Sequence, residues 1–307
     1  MIPEGFGAYL ARLGVPASGT PSTEELFALQ SAHLERVPYE NVGIQLGRPP
    51  GIEPALSARR FAAGQGGYCF HLNGAFAALL EALGYDVTRH VGGVHMDPAG
   101  RGANGNHMAL TVRVDGEAWF VDVGLGDGPH EPLPLRAGTY EQGPFTYRME
   151  PSDTVPGGGW TFHHDGRSTF PVMEFRTGPA TLADFADEHL RLSTAPDSPF
   201  LTTFAALRRD PKAVHLMRGR MLTRMDAAGR ADRLMETADE WFAALTEVLG
   251  RTLDDLDADD RSTLWDGVCR AHETWLASQG TQERPDQQDQ QERPDRQHRP
   301  DRPEASG

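Results

Sequence analysis

Apolar residues recur at helical spacing twice in the first third of the chain. In PSTEELFALQSAHLERV, Leu26, Leu29, His33 and Val37 fall on one helical face. Ser22 or Thr23 can cap that helix, and Glu24 and Glu25 suit its positive end. Pro38 stops the run. After Cys69, residues Leu72, Ala75, Phe76, Leu79, Leu80 and Leu83 mark one face of a second helix, and Gly84 is its stop signal. From about residue 87 the period becomes two. VTRHVGGVH reads as a strand. HMALTVRV-DG-EAWFVDVG reads as a hairpin, because Asp115-Gly116 is a two-residue turn signal. Gly- and Pro-rich segments with short strand-like runs follow, as in an irregular β-barrel or sandwich. TLADFADEHLRL near 181–192 predicts a short helix, about 200–225 short strands, and 237–249 and 261–277 two more helices.

The end of the chain is different. QERPDQQDQQERPDRQHRPDRPEASG repeats QERPD and has almost no apolar side chains, so a disordered tail is expected over 279–307. The remainder divides into a helical region at 1–86, a β-barrel region at 87–195 and a third region at 196–278.

The chain has 307 residues and a formal net charge of -15. That acidity repels phosphate backbones and argues against nucleic-acid binding, though a local N–H-rich or basic pocket still accommodates an anionic cofactor. The two cysteines, Cys69 and Cys269, form no C-x-x-C pair, so neither a disulfide framework nor a structural zinc site is expected. No stretch approaches a membrane span, and the start of the chain lacks a signal-peptide pattern. The expected address is the cytoplasm.

Cys69 opens a helix. There the helix dipole and unpaired N–H groups favour the reactive thiolate. The competing role is that of a small core residue, which is the better fit for Cys269, near Trp265 and Val268. A two-residue turn pairs Val114 with Glu117 and, counting outward, Ala109 with Asp122. His107 then lies diagonal to Asp122 on the same face. Met108, Leu110, Val112, Val114, Trp119, Val121 and Val123 form the opposite, apolar face and look into a core. A His and an Asp are thus presented together on the polar side of a hairpin, unless that side is simply a solvated sheet surface. Cys, His and Asp together suit a nucleophile, a base and an orienting carboxylate. His95, His163 and His164 have no spacing that supports a metal site.

GGYCFHLNGAF, NHMALTV and VDVGLGDG, in this order, resemble the cysteine, histidine and aspartate segments of arylamine N-acetyltransferases. HLERVPYEN, SPFLTTFAAL and HLMRGRMLT add to the resemblance, which spans about 1–255. It implies an α+β fold: an N-terminal helical bundle, a central β-barrel and a C-terminal α/β lid around a cysteine-protease-like Cys-His-Asp core. It implies Cys69, His107 and Asp122 as catalytic residues and acetyl-CoA as co-substrate, without a metal. It further implies a ping-pong mechanism to an aromatic amine or hydrazine. Gly124, Gly126 and Gly128 fall in the loop that contributes cofactor or substrate contacts in that family. A relative within it is an amide synthase that cyclises a polyketide from an acyl carrier protein onto an aryl amine. Cysteine hydrolases share the same triad logic, and a non-catalytic binding protein is the third class.

Two positions depart from the resemblance. Gln65 stands where the family usually has Arg, and His71 where it usually has Glu. If that Arg and Glu are partners in the family, their joint loss leaves no orphan charge; if the Arg instead serves the glutamate of the PYEN segment, Glu40 needs a new partner, for which His71 is a candidate. The departures either change the shape of the pocket, and hence the substrate, or are a purely structural exchange.

Overall fold

The structure is a computed structural model that describes Pro3 and residues 5–282. Most of the expected tail lies outside these residues.

The N-terminal region is helical: α1 (Phe6–Leu13), α2 (Thr23–Arg36), α3 (Val42–Gln45), α4 (Pro54–Ala62) and α5 (Cys69–Ala82), with the two-residue strand β1 (Tyr39–Glu40) among them. Ser22 caps α2 by accepting from the Glu25 N–H. Leu26, Leu29, His33 and Val37 are all buried, as their spacing predicts. Helix α5 goes further than its stripe. Phe70, His71, Asn73, Gly74 and Ala77 are buried as well, so it is a central helix rather than a half-exposed one.

Eight antiparallel strands form the main sheet: β2 (Asp86–His95), β3 (His107–Val114), β4 (Glu117–Val121), β5 (Leu133–Pro134), β6 (Gly138–Gln142), β7 (Phe145–Pro151), β8 (Gly159–His163) and β9 (Val172–Arg176). Their spatial order is β5-β4-β3-β2-β9-β8-β7-β6, and the sheet curls into a nearly closed barrel. The β3–β4 hairpin has the anticipated register, with Val114 opposite Glu117 and Leu110 opposite Val121. Asp115 at its turn takes a φ of 53°, the left-handed conformation that such turns require.

The next segment carries α6 (Ala186–Thr194) and α7 (Pro199–Thr202). Then come β10 (Ala205–Arg209), β11 (Val214–Arg218), β12 (Met221–Asp226) and β13 (Gly229–Leu234), followed by α8 (Ala238–Glu247) and α9 (Ala258–Gln282). The last helix continues past residue 278, into the stretch expected to start the tail. The second sheet has the order β1-β10-β11-β12-β13. An N-terminal strand therefore edges a C-terminal sheet, with Tyr39 opposite Leu207.

The two faces of the hairpin enter two cores. Met108, Leu110, Val112, Val114, Val121 and Val123 pack with the helical region. Ala109 and Phe120, on the other face, pack inside the barrel with Phe162, Met173 and Phe175. The face expected to be polar is thus barrel interior over much of its length. A period of two says which residues share a face, but not what covers it.

Candidate functional site

Cys69 is the first residue of α5 and is buried. The first-turn N–H groups of a helix lack intrahelical partners, so the thiol sits where negative charge is favoured. Its sulfur lies 3.7 Å from the Asn106 carbonyl, to which the thiol donates.

His107 opens β3, and Asp122 follows the last residue of β4. Their side chains meet with His107 Nε2 2.7 Å from Asp122 Oδ2, both residues being at most 2% exposed. The pairing anticipated from the hairpin count is present, although the ladder ends one pair earlier, at Leu110 and Val121. Nε2 faces the carboxylate, which leaves Nδ1 for Cys69. Burial alone would disfavour the imidazolium. The Asp122 charge and hydrogen bond, with a further contribution from Cys69, outweigh it and raise the His107 pKa to about 10.

Asp122 is itself held. Its Oδ1 accepts from Asn73 Nδ2 (3.0 Å), the Gly124 N–H (2.8 Å) and the Leu125 N–H (3.1 Å). Asn73 also donates to the Met108 carbonyl at 2.6 Å and accepts from the Val123 N–H at 2.8 Å. One amide thus ties α5 to both strands of the hairpin. Gln30 of α2 adds a bond from the Asp122 N–H to its Oε1 at 3.3 Å. Sequence reasoning passed over Asn73 and Gln30. The available signal was that Asn73 is a polar residue one helical turn after Cys69, on the same side of the helix.

Cys69, His107 and Asn106 line a cavity of about 410 Å³. Its walls come from every region: Tyr39, Val94 and Met96, Phe170, then Leu192 and Phe200, then Leu207 and Leu216. Among the described residues its arginines are Arg191 and Arg218, and no Asp, Glu or Lys lines it.

The glycine-rich loop divides. Gly124 lies on the cavity wall, where an added Cβ would stand 2.9 Å from Cys69 Cα and 2.7 Å from Asn73 Nδ2. Gly126 and Gly128 are not on that wall. Gly126, with a φ of 79°, faces Leu207 and Tyr39, and Gly128 faces Leu125. Asp127 between them is buried, faces His164 Nε2 at 3.3 Å and accepts from the Thr169 N–H at 2.7 Å. His163 instead meets Glu150 at 2.5 Å, and His95 meets the Gly102 carbonyl. Among the described residues no three His, Cys, Asp or Glu side chains gather as metal ligands. No helix of the described residues is long and apolar enough to cross a membrane.

The two departures from the motif lie outside the cavity wall. His71 is not the partner of Glu40. Its Nδ1 accepts from the Tyr68 N–H at 3.3 Å and its Nε2 faces the Pro50 carbonyl at 3.2 Å. Burial lowers its pKa to about 3, so it stays neutral and cannot balance a carboxylate. Glu40 is matched instead by Arg251, at 3.3 Å, with Arg60 at 3.9 Å. That cation comes from far along the chain, which no local motif reveals.

Residues 22–257 match a family model described as N-acetyltransferase. The chain is 31% identical over 266 residues to an arylamine N-acetyltransferase of Mycolicibacterium smegmatis, covering 83% of this chain and 94% of the relative. It is 32% identical over 187 residues to proansamycin X synthase of Amycolatopsis mediterranei, covering 58% of this chain and 70% of the relative. The structure of Mycobacterium marinum arylamine N-acetyltransferase in complex with CoA superposes with a TM-score of 0.77 at 27% identity, over 87% of this chain and 99% of that one.

Proposed function

The chain belongs to the arylamine N-acetyltransferase family, and on that premise we propose that it moves an acetyl or related acyl group through Cys69 in a ping-pong reaction. The acyl donor is a CoA thioester, and the acceptor is an aromatic amine or hydrazine. The observation that carries this reading is the convergence of a helix-terminal Cys69 and an Asp122-bound His107 on one cavity wall.

The chemistry follows from the residues. The Cys69 thiolate attacks the thioester carbonyl, a new C–S bond forms, and the CoA sulfur leaves with a proton from His107. The amine then attacks the acyl-cysteine, His107 Nδ1 takes its proton, and the Cys69 thiolate is released. Asp122 holds the imidazole in the tautomer and orientation that both steps need. The cavity suits both reactants. Arg218 offers positive charge to an anionic donor, as does Arg191 in part, since it is shared with Glu188, and Tyr39, Phe200, Leu207 and Leu216 offer apolar surface to an aromatic ring. Of the three loop glycines, Gly124 lies on the cavity wall, and its lack of a side chain lets Cys69 and Asn73 pack against the loop there.

A second reading is an amide synthase taking its acyl group from an acyl carrier protein. It is favoured by the similarity to proansamycin X synthase. One experiment separates these readings from a cysteine hydrolase. The protein is mixed with acetyl-CoA, then with longer acyl thioesters, and Cys69 adduct mass is followed with and without an arylamine. Loading by acetyl-CoA and faster discharge by the amine is the expected result. Loading only by long or carrier-bound chains favours the synthase, and decay indifferent to amine favours a hydrolase. No adduct with any thioester defeats acyl transfer.

A further inference from the structure

The loop between α4 and α5 delivers Cys69, and it is bonded to the chain on two sides. On one side is the segment around β1. Gly67 N–H donates to the Pro38 carbonyl at 3.4 Å, and Glu40 N–H donates to the Gly67 carbonyl at 2.9 Å. On the other side is the turn after α8. Thr252 N–H donates to the Gly64 carbonyl at 3.1 Å, and its hydroxyl donates to the Ala63 carbonyl at 3.2 Å.

Glu40 joins the two sides. Its Oε1 accepts from the Gly66 N–H at 3.1 Å, and its Oε2 accepts from the Val42 N–H at 2.5 Å. Oε1 also faces Arg251 Nε at 3.3 Å. Arg251 in turn grips Asp255 with both terminal nitrogens, at 2.8 and 2.7 Å. Arg251 and Glu40 are 1% and 2% exposed, so this pair is fixed within the interior rather than drifting on a surface. Packing is tight as well. A Cβ at Gly66 would collide with the Pro38 carbonyl, and one at Gly64 with the Thr252 side chain.

We propose that Arg251, acting through Glu40, and Thr252 position the Gly64–Tyr68 loop and thereby set the Cys69 thiol against His107. The inference rests on Cys69 as the acyl-accepting nucleophile. Neither Arg251 nor Thr252 lines the cavity, so both are positioning residues that touch no substrate. Removing Arg251 leaves the buried Glu40 carboxylate with only the more distant Arg60, at 3.9 Å, to balance it, and it must shift or hydrate. Glu40 is bonded to Gly66, three residues before the nucleophile, so its movement is passed to the start of α5. A displacement of about 1 Å at a reacting group costs on the order of 100-fold in rate.

The test compares Arg251→Met, Arg251→Lys and Thr252→Val in the full chain. It reads Cys69 alkylation by iodoacetamide from pH 5 to 10, acyl loading, kcat and KM for an arylamine, and the melting temperature. Arg251→Met should slow both alkylation and kcat by about 10- to 100-fold. The arylamine KM should stay within about twofold, because no cavity contact is lost. Arg251→Lys should recover part of the rate, since it restores the charge but not the two-pronged grip. Thr252→Val should slow alkylation by about two- to fivefold, as one bond of the strap is lost. Wild-type alkylation and kcat in a folded Arg251→Met protein would overturn the proposal, even with a lowered melting temperature. If Arg251→Met does not fold, unchanged rates in both other variants overturn it. If the wild type forms no acyl adduct, acyl transfer fails while the alkylation series still decides whether the strap positions Cys69.

Discussion

Asp122 meets His107 through one oxygen only. Oδ2 lies 2.7 Å from Nε2, while Oδ1 accepts three other hydrogen bonds, from Asn73, Gly124 and Leu125. The carboxylate is therefore oriented before it orients the imidazole. In Asp122→Asn, the three donors at Oδ1 keep the amide oxygen there and turn the amide nitrogen toward His107. Nε2 must then accept, and the ring proton moves to Nδ1, the nitrogen that serves Cys69. A loss of about 10⁴-fold in kcat is expected with the fold retained, by analogy with other orienting aspartates. Steady-state kinetics and circular dichroism check it, and a loss under tenfold would remove the tautomer argument.

Alkaline pH should destabilise the protein through His107. Its folded pKa is raised to about 10, above the ordinary histidine value, so the folded state holds a proton that the unfolded state releases. That stability is fully present below about pH 6.5 and is lost as pH rises toward 10. Urea unfolding at intervals from pH 6 to 10 should show the decline. His107→Gln should flatten it, and an unchanged slope in that variant would assign the decline to other groups.

Acid should act through two other histidines. Burial lowers the pKa of His71 and of His33 to about 3. The unfolded chain protonates both below about pH 6.5 while the folded protein does not, so stability rises with pH between about 3 and 6.5. His71→Asn should reduce the slope of unfolding free energy against pH in that window by up to about 1.4 kcal/mol per pH unit, the slope of one proton. Denaturant titrations at pH 4, 5 and 6 measure it, and an identical slope would contradict the neutral assignment.

Gly124→Ala should harm activity more than stability. Its Cβ would stand 2.7 Å from Asn73 Nδ2 and 3.0 Å from Cys69 Cβ, so either Cys69 or the amide clamp must give way. Overpacking of this kind costs about 1–3 kcal/mol. A shift of Cys69 or of the Asp122 support should cost on the order of 100-fold in kcat. Thermal unfolding beside acyl-loading kinetics separates the two effects, and an enzyme that loads at the wild-type rate would mean the contact relaxes without cost.

The elements that local physics dictates were legible in the chain. The helical spacing after Cys69 placed α5 with its first residue correct, and Asp115-Gly116 set the register that brings His107 and Asp122 to one face. Both signals depend only on near neighbours, through the periods of helix and strand and the left-handed preference of one turn. The tertiary structure decided what those faces meet. Barrel closure turned a polar hairpin face into interior, because covering a face depends on strands such as β8 and β9 that lie far along the chain. The same holds for β1, whose two residues carry no strand pattern until β10 supplies their hydrogen-bond partners. It holds for Glu40, for which Arg251 rather than His71 provides the charge. It holds for Asn73, whose three hydrogen bonds end on residues of the hairpin. Ion pairs and buried hydrogen bonds form between atoms a few ångströms apart in space, and separation along the chain does not enter their energies.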